Sequence, residues 1–149
     1  MSDAPIIHVS RGPAHAAAWL LAAAGTLPFL AGVVDAIALE RAWLDTVHVY
    51  AAIIASFICG IHWGVALFAP ERLAPRLFVL SNVLALLAWL AALLPPGPGF
   101  LLLGAIFAAL LLVDAKLWRS GLLPGWFWHL RAAITAVVVA ACIAIGAMA

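Results

Sequence analysis

The chain has 149 residues, 68% of them hydrophobic and 9% charged, with a formal net charge of +1 and a mean hydropathy of +1.24. Ordinary soluble domains carry roughly 25% charged residues, so this sequence is written for lipid rather than water. The near-zero charge, without a run of Lys or Arg, excludes a nucleic-acid partner, and the length suits one domain.

Runs of about twenty apolar residues recur along the chain, separated by short breaks of Pro, Gly and a few charges. At ~1.5 Å per residue, each crosses a hydrocarbon core of ~30 Å as a helix. The first span is read from His15 to Leu39, where Pro28 frees the carbonyl of Ala24 and predicts a kink. Its apolar run exceeds the ~7 to 15 residues of a signal peptide, so it is kept as a helix. The second is read from Val47 to Phe68, the third from Arg76 to Leu94, the fourth from Phe100 to Trp118 and the fifth from Trp126 to Ala147. The intervening loops, Glu40 to Thr46, Ala69 to Pro75, Pro95 to Gly99 and Arg119 to Gly125, are short enough to force antiparallel neighbours. The predicted fold is therefore all-α, an up-down bundle of five transmembrane helices spanning residues 15–147 behind a tail of residues 1–14.

Orientation follows from the basic residues, because Lys and Arg beside a span resist translocation. Arg11, Arg72, Arg76, Lys116, Arg119 and Arg131 fall on the N-terminal side and only Arg41 opposite, which predicts a cytoplasmic N-terminus and an outer C-terminus. Trp19, Trp118, Trp126 and Trp128 are expected at the inner interface and Trp43 at the outer one. Small residues recur every fourth position at Ala132, Ala136, Ala140 and Ala144 and at Gly60 and Gly64, a spacing expected to pack helices within one chain and secondarily to serve self-association. Cys59 and Cys142 lie in different spans and read as small packing residues.

Polar residues inside the spans are the informative ones, since a charge at mid-membrane costs ~2.5–3.5 kcal/mol on insertion scales. Asp114 and Arg131 stand at matching distances from the middle of the loop that joins their helices, which predicts an ion pair. His62 and Asn82 are placed the same way about Arg72. Together the four would form one polar layer ~9–12 Å below the inner helix ends, with Trp63 beside His62 and Thr135 one turn beyond Arg131. The plainer alternatives are a structural tie between two helices and an arginine snorkelling to the headgroups.

Other chemistry finds little support. His48 and His62 have the spacing of ligands for stacked haems, but an outer haem would lack a facing histidine, and no cofactor is predicted. Cys59 and His62 have zinc-like spacing without a second ligand pair. Asp35, Glu40, Asp45 and His48 read as a solvated outer patch. No nucleophile elbow, HExxH, GxxxxGK or CxxC is present, so an enzyme is the least favoured class.

Three blocks of residues resemble a family of small bacterial membrane proteins, a domain of unknown function with a mitochondrial transmembrane relative in animals. They are Gly25-Thr26-Leu27-Pro28-Phe29; Tyr50, Ser56, Phe57 and Gly60-Ile61-His62-Trp63-Gly64; and Leu123-Pro124, Trp126, Leu130-Arg131 and Thr135. The resemblance covers nearly the whole chain and implies a five-helix inner-membrane protein without implying an activity. The residues themselves favour binding of a small amphipathic ligand, a lipid headgroup or a quinone-like ring, by His62, Trp63, Asn82, Asp114, Arg131 and Thr135. An accessory protein docking on a larger membrane complex is the alternative. A proton-coupled carrier of small solutes is a further one, weakened by the lack of paired repeats.

Overall fold

The computed structural model describes residues 12–38 and 41–149. Its elements are α1 (Pro13–Ala24), α2 (Leu27–Ala38), α3 (Leu44–Ala66), α4 (Ala74–Leu93), α5 (Pro96–Arg119) and α6 (Gly125–Met148). α1 and α2 make one bent span, Pro13–Ala38, so the described residues hold five segments long and apolar enough to cross a membrane. The fold is an all-α membrane bundle, as the apolar runs predict. Residues 1–11 of the tail with Arg11, Leu39 at the end of the first span and Glu40 of the outer patch lie outside the described residues.

Proline sets several helix starts. Pro13, Pro75 and Pro96 occupy first-turn positions, where a missing amide hydrogen leaves nothing unsatisfied. This explains why α5 begins inside the Pro-Pro-Gly-Pro-Gly stretch expected to be loop. In the first span the ladder breaks at Gly25 and Thr26, the turn that Pro28 deprives of a donor. Thr26 bonds its hydroxyl back to the Ala23 carbonyl at 2.7 Å, and the Tyr50 hydroxyl of α3 donates to the Gly25 carbonyl at 3.0 Å. The bend is thus held from within and from a neighbouring helix.

The turn between α5 and α6 fixes their register. Gly121 takes the left-handed conformation, φ 77°, its amide donates to the Trp118 carbonyl, and the Leu122 amide donates to that of Leu117, both at 2.9 Å. This is a Schellman cap, and Leu122 packs back on the small cluster containing Leu117 as such caps require.

α5 runs through the middle, packed on α3, α4 and α6, while α2 packs on α3 and α6 and closes the bundle. The core is built around Phe29, Phe100, Leu103, Phe107, Leu110 and Ile145. Close approach depends on glycines at helix crossings: a methyl on Gly32 would stand 2.9 Å from Val47 Cγ1, one on Gly146 2.8 Å from Leu101 Cγ, and one on Gly99 would strike the His48 ring.

Those are not the small residues that sequence spacing singled out. Gly60 and Gly64 are exposed with nothing within 4 Å of an added Cβ. Ala136 and Ala140 are exposed as well, and Ala132 and Ala144 only half-buried. The inward face of α6 is instead Arg131, Thr135, Val138, Cys142 and Ile145, one residue out of step with the alanine stripe.

Candidate functional site

Asp114 lies near the end of α5 and Arg131 near the start of α6, on either side of the Gly121 turn. Their helices are antiparallel neighbours, so the two meet: Arg131 Nε donates to Asp114 Oδ2 at 2.8 Å. The other carboxylate oxygen, Oδ1, is 2.8 Å from His62 Nε2 of α3. A carboxylate only accepts, which assigns the proton to Nε2 of that imidazole. His62 and Asp114 are each 1% exposed and Arg131 is 7% exposed. One carboxylate therefore ties three helices, and its charge offsets the guanidinium's in hydrocarbon.

Two of the expected members stay outside. Asn82 is exposed and donates at 2.8 Å to the Phe78 carbonyl of its own helix, so it does not reach His62. The inward residue of α4 at that level is Ser81, which bonds the same carbonyl at 3.0 Å. Trp63 is 46% exposed and packs edge-on against Phe78 with ring centroids 4.7 Å apart, away from the cluster. Both errors are of angle and not of height, since each side chain sits one residue, about 100° of helix rotation, from the inward face.

Thr135 is 2% exposed and one turn from Arg131 on the same face of α6. Its Oγ1 and Arg131 Nη2 are both buried without a hydrogen-bond partner among the described residues. Both side chains line a cavity of about 350 Å³ bounded by α1, α2, α3, α5 and α6, and they are the polar side chains of its wall. The rest is apolar, including Phe29, Phe57, Phe107 and Phe127. His62 and Asp114 stand behind Arg131 and do not face the space.

The cavity exists because the first span bends. α1 packs chiefly on α6, leaving a gap beside α3, and Gly25 at the bend is part of the wall. Leu21 of α1 and Phe57 of α3, 74% and 69% exposed, flank that gap on the lipid side. The flank of the cavity is thus part of the apolar outer surface of the bundle.

Residues 14–148 match the model of a family described as Protein of unknown function (DUF3429). The chain belongs to that family. It is a membrane protein by its five apolar spans, in agreement with the resemblance read from its motifs. No curated protein and no solved structure matches it. Gly25, Phe29, Phe57, Leu130, Arg131 and Thr135, all from the blocks that carry the resemblance, line the cavity.

At the opposite end, Asp35 and His48 are buried rather than solvated, 1% and 3% exposed. Asp35 Oδ2 accepts the Trp43 backbone amide at 2.9 Å, joining the end of α2 to the start of α3, and the His48 ring lies 4.9 Å from that of Phe100. The signal for Asp35 was present in its position inside an apolar run, where a carboxylate needs a donor. Asp45 remains exposed.

Proposed function

We propose that this membrane protein binds a small amphipathic ligand, a lipid headgroup or a quinone-like ring, in the cavity between its bent first span and the His62–Asp114–Arg131 cluster. The observation that carries this reading is that Arg131 and Thr135 line an otherwise apolar space of about 350 Å³, while Arg131 Nη2 and Thr135 Oγ1 are buried without a hydrogen-bond partner among the described residues. A buried donor without a partner costs about 1–3 kcal/mol, a penalty that a ligand acceptor removes. Asp114 holds Arg131 by Nε, and the Arg131 side chain forms part of the cavity wall. His62 fixes the carboxylate in turn.

The basic side chains beside the helix ends favour a bacterial inner membrane with the N-terminus in the cytoplasm, placing the cluster in the inner leaflet. The test is the content of the purified protein. After mild detergent extraction, native mass spectrometry of the full chain is expected to show a bound small molecule that Arg131→Lys strips, because lysine keeps the positive charge beside Asp114 and loses the planar second donor. A chain free of any small molecule would defeat the proposal.

An accessory role has an observation of its own. Gly60 and Gly64 present a smooth, exposed strip of α3 that no helix among the described residues covers. Docking of a second membrane helix there predicts that Gly64→Leu abolishes a crosslinked partner while leaving the monomer folded.

A further inference from the structure

Resting on the ligand-binding reading, the geometry points to a particular class of ligand: we infer that the cavity takes the ring of a quinone-class molecule, which enters sideways between α1 and α3 and accepts hydrogen bonds at a ring carbonyl from the Arg131 guanidinium and the Thr135 hydroxyl, the polar side chains of its wall.

Charge balance decides first between a neutral and an anionic head. Asp114 already neutralises Arg131, and both of its oxygens are occupied, one by Arg131 and one by His62. The carboxylate and the guanidinium, 2.8 Å apart, offset each other. A carboxylate or phosphate placed against Arg131 would add an uncompensated negative charge close to Asp114 in a medium of low dielectric, where like charges are costly. A carbonyl oxygen brings acceptor lone pairs without that charge.

The donors fit one such oxygen. Arg131 and Thr135 are four residues apart on the inward face of α6, which puts their Cβ atoms about 5–6 Å apart, near enough for a guanidinium and a hydroxyl to converge on a single acceptor. A phospholipid headgroup, with several phosphate and glycerol oxygens, would leave most of its acceptors facing apolar wall.

Shape and route agree. Phe29, Phe57, Phe107 and Phe127 stand in the wall, and aromatic faces and edges suit a flat ring better than a flexible chain. The volume of about 350 Å³ lies at the small end of the ~300–1,000 Å³ usual for ligand sites, enough for a ring and the start of one tail and too little for two acyl chains. Leu21 and Phe57 are exposed where α1 parts from α3, so a tail would pass between them into the bilayer while the ring stays within.

The experiment titrates the full chain in detergent micelles with decyl-ubiquinone, lauric acid or dilauroyl phosphatidate, and counts bound probe by native mass spectrometry. The expected result is one saturably bound quinone per chain, about fivefold weaker binding in Thr135→Val, and no binding in Ala22→Phe, which fills the cavity from α1. Joining Leu21→Cys to Phe57→Cys with a short bismaleimide is expected to slow quinone association at least tenfold; the native Cys59 and Cys142 are buried and stay unmodified. Binding of lauric acid or phosphatidate in place of the quinone, lost in Thr135→Val, would overturn the quinone class and leave the ligand-binding reading standing. Quinone binding unchanged in both Thr135→Val and Ala22→Phe would place it elsewhere and overturn the inference. An unchanged rate in the crosslinked variant would overturn the sideways route, and failure of all probes with an empty purified protein would remove the ligand-binding reading as well.

Discussion

Asp114 illustrates how a charge is kept inside hydrocarbon. Its two oxygens each take one donor at 2.8 Å, and every partner comes from a different helix, so the carboxylate is matched before any ligand arrives. Removing one partner is therefore worse than removing the pair. Arg131→Ala is expected to destabilise the micelle-solubilised protein by about 3–5 kcal/mol, because an unmatched carboxylate stays behind. Arg131→Leu combined with Asp114→Leu is expected to recover most of that loss, since no ionised group remains. Unfolding midpoints in a detergent denaturation series compare the variants; a single variant as stable as the parent would mean that the ion pair contributes nothing. In the double variant the buried His62 Nε2 has lost its Asp114 partner, so His62→Phe added to it should cost little further.

At the scale of the element, height was legible in the sequence and azimuth was not. Apolar run lengths place each span to within a few residues, α5 starting earliest relative to expectation at Pro96, and counting outward from the loops sets Asp114 opposite Arg131, with His62 at their level. Around the helix axis, however, the lipid face and the core face are equally apolar, so the pattern that marks the buried side of a soluble helix is missing. Hence the sequence points to Asn82 where Ser81 faces inward, and to Gly60 and Gly64 for packing where both are exposed. The distinction is measurable. Gly146→Leu, which drives a side chain into Leu101, is expected to cost about 1–3 kcal/mol, whereas Gly60→Leu should stay within about 0.5 kcal/mol of the parent. Equal losses at both positions would contradict the packing described. The α5–α6 turn supplies a third case: Gly121→Ala is expected to cost about 1 kcal/mol through its left-handed φ of 77°, and to loosen the register that brings Asp114 to Arg131.

For the whole molecule the decisive question is which end faces the cytoplasm, because it sets the leaflet from which the cavity is reached. Lys116 and Arg119 close α5 and Arg72 and Arg76 flank the start of α4, all at the end that also carries the stacked pair Trp118–Trp128, 5.3 Å between centroids. The apparent exception is Arg41 at the other end, and its chemistry is local. Its guanidinium donates to the carbonyls of Met148 and Ala149, the last acceptors of α6, and it holds a left-handed φ of 66° to do so. A cation that caps a helix C-terminus is bound to that end by the dipole and the open carbonyls, and weighs little against the cluster opposite. The expected topology thus has the α3–α4 and α5–α6 turns in the cytoplasm. A cysteine in place of Ser120 should react with a membrane-impermeant maleimide only after the cells are permeabilised, and one in place of the exposed Trp43 should react in intact cells. The reverse pattern would put the Asp114 cluster in the other leaflet, and with it the side of the bundle between α1 and α3, so that a ligand of the proposed class would exchange with the half of the bilayer that does not border the cytoplasm.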